Sequence, residues 1–102
     1  MKLLIIDDDT IDTMAIKRAL QNSDLSILAL HEASTAKQGL QMALEEKYDV
    51  ILLDYRLPPT NGMEVLIELR ANTDFSTSIV MLSHSNDEDL ALKCIATGAQ
   101  AF

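Results

Sequence analysis

Two short apolar runs in this chain end in aspartate. Leu3-Leu4-Ile5-Ile6 leads into Asp7-Asp8-Asp9, and Val50-Ile51-Leu52-Leu53 leads into Asp54. Unbroken aliphatic runs of this length suit strands buried on both faces, which means a parallel sheet covered by helices. In open α/β sheets, ligands bind just beyond the carboxyl ends of the strands, so acids placed there mark a site.

The rest of the chain alternates strand-like and helical segments in the manner of βαβ units, with right-handed connections expected. After the first strand, roughly Lys2 to Ile6, the residues Ile11, Met14, Ala15, Ala19 and Leu20 recur at helical spacing and predict one apolar face. Ile27 to Leu30 reads as the second strand. Ser34 is a candidate N-cap for a helix burying Ala36, Leu40, Ala43 and Leu44. Gly39 in that helix costs about 1 kcal/mol against Ala, so a close backbone contact is expected there.

Val50 to Leu53 is the third strand. Leu57-Pro58-Pro59-Thr60-Asn61-Gly62 reads as a loop, because two prolines cannot continue a ladder, and Gly62 can take positive φ. A helix from about Met63 to Arg70 should bury Val65, Leu66 and Leu69, and Ile79 to Leu82 is the fourth strand, with Ser83 at its end. Asn86 can cap the next helix, with Asp87, Glu88 and Asp89 in its first turn and Gly98 at its C-terminus. Ala99 to Phe102 reads as the start of a fifth strand.

At 102 residues and 48% hydrophobic content, the chain has the material for one core and one domain, with a radius near ~13 Å. No run approaches the about 18 apolar residues of a membrane span, and the chain reads as soluble and cytoplasmic. Cys94 is the single cysteine, so no internal disulfide can form, and a buried structural thiol is expected. A net charge of −8 argues against direct binding to nucleic acid or anionic lipid, which requires clustered Lys and Arg.

Asp7, Asp8, Asp54 and Ser83 all fall at strand ends, where neighbouring strands lie ~4.8 Å apart. Crowded carboxylates repel, and a hard divalent cation with oxygen ligands would keep them ionised. Mg²⁺ fits better than Ca²⁺, since it takes one or two carboxylates and keeps several waters. Asp9 and Asp12 read as a charge cluster at a helix start, where the dipole favours acids.

This ordered set resembles the receiver domains of two-component response regulators over the whole chain. The residues that carry the resemblance are Asp7-Asp8, Asp54 within Leu52-Leu53-Asp54-Tyr55-Arg56-Leu57-Pro58, Asn61-Gly62-Met63-Glu64, Ser83, and Gly98-Ala99 before Phe102. The resemblance implies a doubly wound, flavodoxin-like parallel sheet of order 2-1-3-4-5, with the first and third strands adjacent. It implies that Asp54 accepts a phosphoryl group from a phosphohistidine on a histidine kinase or histidine phosphotransfer protein. Asp8 would ligate Mg²⁺ directly, Asp7 through water, and the Arg56 backbone carbonyl would be a further ligand beside Asp54. Ser83 would hydrogen-bond the phosphoryl group and, with Phe102, form the switch that reports it. Such a domain catalyses only its own phosphorylation and dephosphorylation and is no enzyme in the usual sense.

The chain also departs from the family pattern. The lysine expected a few residues past the aromatic is absent, and residues 1–102 therefore read as a C-terminally incomplete receiver, its fifth strand and last helix truncated. That leaves the fourth strand as an edge and makes a swapped homodimer plausible. Met1 just before the first strand is what an N-terminal receiver of a longer regulator would show. His84 stands where the family often has a small residue, and its bulk would hinder an attacking water. Two other readings compete. Asp7-Asp8-Asp9-Thr10 resembles the nucleophile loop of haloacid-dehalogenase-type phosphohydrolases, with Asp7 as nucleophile, and a degenerate receiver would act only as a docking module.

Overall fold

The computed structural model describes residues 1–72, 75–83 and 88–101. Four parallel strands form the main sheet: β1 (Lys2–Ile6), β2 (Ala29–Ala33), β3 (Val50–Asp54) and, after a small ribbon, β6 (Ser78–Leu82). The ribbon pairs β4 (Arg56–Leu57) antiparallel with β5 (Thr60–Asn61). The order in the main sheet is β2-β1-β3-β6. Helices α1 (Thr10–Gln21), α2 (Ala36–Glu45), α3 (Gly62–Ala71) and α4 (Glu88–Thr97) fill the connections.

The chain steps one way from β1 to β2 and the other way from β2 to β3, so right-handed crossovers put α1 on one face and α2 and α3 on the other. The sheet is thus doubly wound, and its switch point lies between β1 and β3. Register runs straight across it: Leu4 pairs with Ile51 and Ile51 with Ile79, then Ile6 with Leu53 and Leu53 with Met81. These two rows are fully buried and meet Val65, Leu66 and Leu69 of α3, Ala43 of α2 and Cys94 of α4. Each large aliphatic side chain so buried contributes about 1.5–3 kcal/mol before entropy is counted. Cys94 is the buried structural thiol expected.

Capping sets where the helices begin. Asp9 caps α1 by accepting from the Ile11 and Asp12 amides. Thr35, one residue after the expected Ser34, caps α2 by accepting from Gln38 N, and Asn61 caps α3 by accepting from Glu64 N at 3.0 Å. Each cap is worth about 1 kcal/mol. Asn86 and Asp87 lie outside the described residues.

Other differences from the expectations have physical causes. On α1 the inward face is Thr13 with half-buried Ile16, Lys17 and Leu20, while Ile11 is 77% and Met14 55% exposed. Apolar residues occupy two sides of this helix, and the side with the small Thr13, whose hydroxyl donates to the Asp9 carbonyl, is the one that turns inward. Leu44 of α2 is exposed, whereas Gly39 is buried. A Cβ at Gly39 would lie 2.7 Å from Ile6 side-chain carbons, so the close contact expected there is with a side chain. β2 begins two residues later than expected and runs on to Ala33. The prolines sit at the turn of the β4–β5 ribbon, joined by a cis peptide bond, so the loop is a short hairpin.

Gly62 does not have positive φ; among the described glycines only Gly98 does, at 125°. The free edge expected beyond the fourth strand is partly covered. Gln100 N donates to Ile79 O at 2.7 Å and Met81 N to Ala101 O at 2.9 Å, which begins a fifth parallel strand through the Val80–Ala101 bridge. The Cα radius of gyration is 12.7 Å. Among the described residues, no helix is long and apolar enough to cross a membrane.

Candidate functional site

The carboxyl ends of β1 and β3 bring Asp7 and Asp54 together. Ile6 pairs with Leu53, so the next residue on each strand reaches the same edge, and both aspartates are only 6% exposed. Backbone donors hold each carboxylate in place. Asp7 Oδ1 accepts from Asp9 N at 2.9 Å, and Asp54 Oδ1 accepts from Arg56 N at 3.2 Å. The loop after β3 is tied down as well, with Tyr55 N donating to Leu82 O at 2.8 Å and Gly62 N to Tyr55 O at 2.6 Å. Gly62 is required at this point because a Cβ there would run into the Asp54 carbonyl oxygen and lie 2.9 Å from Tyr55 Cα.

Asp54 pairs with Leu82 across β3 and β6. That register puts half-buried Ser83 at the same edge, and it lines a cleft with Asp7, Asp12, Asp54, Ala15, Ile16 and Leu82. The cleft holds about 230 Å³, enough for several waters at ~30 Å³ each. On the other side of Asp54 a second hollow is lined by Asp8, Asp12, Arg56 and Pro58 among others.

Electrostatically the site is strained by its own charge. Burial pushes the Asp7 carboxyl up to about 6, and the nearby Asp54 and Asp12 charges add to the rise. Asp54 is also raised, first by burial and then by the Asp8 and Asp12 charges, while the Arg56 amide and Asp7 pull the other way. Neutralisation by a bound cation would relieve both.

Carboxylate oxygens of Asp7, Asp12 and Asp54 lie within 4.8 Å of one another. This donor set, all hard oxygen, fits a small divalent ion. Asp8 is exposed and borders the outer hollow, and Arg56 shares that hollow. Of the expected residues, the structure therefore brings Asp7, Asp54 and Ser83 into one cleft and sets Asp8 and Arg56 beside it. His84 and Phe102 lie outside the described residues. Asp9 is the helix-start residue expected. Asp12 also stands at the helix start as expected, on the first turn of α1, and its carboxylate lies beside those of Asp7 and Asp54.

The family model described as "Response regulator receiver domain" matches residues 3–102. The chain is 30% identical to the chemotaxis protein CheY of Listeria monocytogenes over 102 residues, covering 100% of this chain and 83% of that protein. It is 34% identical over 103 residues to the DNA-binding transcriptional activator EvgA of Escherichia coli, covering 100% of this chain. It spans about half the length of that activator (48%) and of a putative transcriptional regulator from Pseudomonas aeruginosa (47%). The Mn²⁺-bound form of response regulator Rcp1 superposes with a TM-score of 0.86 at 22% identity, covering 97% of this chain and 76% of that one, a likeness of fold. With a family match over nearly its full length and the acids, sheet order and Ser83 cleft in place, this chain belongs to the receiver domains of two-component response regulators.

Proposed function

We propose that Asp54 is the phosphoacceptor of this receiver, taking a phosphoryl group from the phosphohistidine of a histidine kinase or histidine phosphotransfer protein. The observation that carries this reading is the placement of Asp54: buried at the end of β3, held by the Arg56 amide, and open to the cleft that Ser83 lines. In the transfer, the phosphorus–nitrogen bond of the donor breaks and a phosphorus–oxygen bond to an Asp54 carboxylate oxygen forms. Phosphoryl transfer depends chiefly on positioning and charge neutralisation, so a rigid acceptor and a few donors suffice.

Asp7, Asp8, Asp54 and the Arg56 backbone carbonyl would hold Mg²⁺, which when bound offsets the charge of the carboxylates and of the incoming phosphoryl group. Asp7, fixed by the Asp9 amide, keeps its carboxylate turned toward Asp54. The Ser83 hydroxyl donates a hydrogen bond to a phosphoryl oxygen after transfer and draws its loop inward, which couples it to Phe102 as the switch. Residues 1–102 serve as one receiver unit.

The family match favours neither a haloacid-dehalogenase-type hydrolase nor a docking-only module. Incubation with acetyl phosphate and Mg²⁺, followed by intact-mass spectrometry, tests the assignment. One phosphate is expected on the wild type and none on Asp54→Ala. An unphosphorylated wild type, or labelling that persists on Asp54→Ala and disappears on Asp7→Ala, would overturn it.

A further inference from the structure

We propose that Arg70, in the last turn of α3, is the latch of a detachable fifth strand. Its guanidinium ties the segment that enters β6 to the segment that enters the fifth strand, and its release lets residues 99–101 leave the sheet while the other four strands stay folded. Arg70 Nε donates to the Gly98 carbonyl oxygen at 2.9 Å, and Nη1 donates to the Phe75 carbonyl oxygen at 3.4 Å. Gly98 stands just past the end of α4 and Phe75 shortly before β6, so one planar fork spans the entries to two neighbouring strands. The same guanidinium lies over the Phe75 ring, 5.8 Å from its centroid.

Among the described residues, the segment's own hold on the sheet is slight. Ala99 is buried, but Gln100 and Ala101 are exposed, and one alanine removes little apolar surface from water. Two hydrogen bonds join the segment to β6, from Gln100 N to Ile79 O and from Met81 N to Ala101 O. Gly98 turns the chain out of α4 with φ at 125°, its amide closing on the Cys94 and Ile95 carbonyls. Its own carbonyl is left at the negative end of the α4 dipole, where a cation is favoured. A Cβ at Gly98 would lie 2.8 Å from Arg70 Cγ, so the glycine both makes the turn and admits the arginine. The free energy of local opening follows the contacts that hold a segment, and here a side chain from another helix supplies a large share of them. Release bares the β6 edge, whose donors and acceptors another strand can pair with.

Amide hydrogen exchange of residues 1–102, resolved by residue and measured without metal or phosphoryl donor, tests the latch independently of the acceptor assignment. Arg70→Met keeps the apolar stem and removes the fork. The Met81 and Gln100 amides should then exchange about tenfold faster, the change in open population expected from losing a hydrogen bond to a charged donor. The Asp7 amide, which donates to Ala33 O at 3.0 Å between the strands on the other side of the sheet, should keep its wild-type rate. Arg70→Lys keeps stem and charge without the fork and should fall between the two; as the milder change, it carries the same comparison if Arg70→Met fails to fold. Unchanged exchange at Met81 and Gln100, or an equal acceleration at Asp7, would overturn the proposal, the latter because Arg70 would then support the whole fold rather than one strand.

Discussion

Replacing Gly62 by Ala sets two effects of known sign against each other. Gly62 opens α3 with φ outside the left-handed region, so alanine can adopt its backbone, and helix propensity favours the change by up to about 1 kcal/mol. Against this, the new Cβ would run into the Asp54 carbonyl oxygen and lie 2.9 Å from Tyr55 Cα and 3.0 Å from the Asp54 carbonyl carbon. These are backbone atoms, and no rotamer can relieve the overlap. Overpacking of this kind costs about 1–3 kcal/mol. If α3 backs away to avoid it, the Gly62–Tyr55 hydrogen bond of 2.6 Å is lost, for about 1 kcal/mol more. The net expectation is a loss of about 1–3 kcal/mol, read in urea as a midpoint lowered by about 1 M with the slope unchanged. Because the Asp54 backbone must yield, labelling by acetyl phosphate should also slow. Gly39→Ala provides the control, since the three atoms nearest its Cβ are all Ile6 side-chain carbons, at 2.7 to 2.8 Å. A double-mutant cycle with Ile6→Ala should recover about 1 kcal/mol or more there. A Gly62→Ala protein as stable as the wild type would refute the reasoning, because propensity would then have outweighed the backbone contact.

Two further expectations concern charge and a buried hydroxyl. Folded Asp7 sits at about 6 against 3.8 unfolded, so the native state holds its proton more tightly. That contribution is fully present below about pH 4 and is lost as the pH rises to about 6. The full rise would carry ~3 kcal/mol for an enclosed group, and solvent at the cleft mouth reduces this to about 1–2 kcal/mol. In metal-free urea titrations, Asp7→Asn should therefore gain on the wild type between pH 4 and 6, and a pH-independent difference would contradict the assignment. Tyr48 is buried, with its hydroxyl 2.7 Å from His31 Nδ1 and donating to Glu46 Oε2 at 3.0 Å. Both partners reach solvent, so Tyr48→Phe should cost only about 1 kcal/mol in the same assay; a loss above ~3 kcal/mol would show that the cluster acts as more than a pair of ordinary hydrogen bonds.

Much of this protein was legible in the order of its residues. Two aliphatic runs tipped with aspartate imply parallel strands and a polar edge, because only a sheet covered on both faces hides four consecutive apolar side chains, and strand ends are where its backbone and acids emerge. The helices α2, α3 and α4 follow from that pattern, whereas the switch point and the neighbouring of Asp7 and Asp54 follow from the resemblance to receiver domains. Strand boundaries and caps were less sharply encoded, since Ser34 and Thr35 are both able caps by residue type and it is Thr35 that accepts from Gln38 N.

Other features depended on the tertiary structure. Periodicity shows that α1 has apolar stripes but not which one turns inward, and in the fold the inward side is the one that buries Thr13. Gly62 is a glycine because two segments nearly touch across a loop, a constraint between atoms distant along the helix–strand path and invisible to local turn rules. Asp12 reads along the chain as one more acid at a helix start. Folding sets its carboxylate within 4.8 Å of those of two strand ends, and proximity in space, rather than in sequence, determines which charges act on one another.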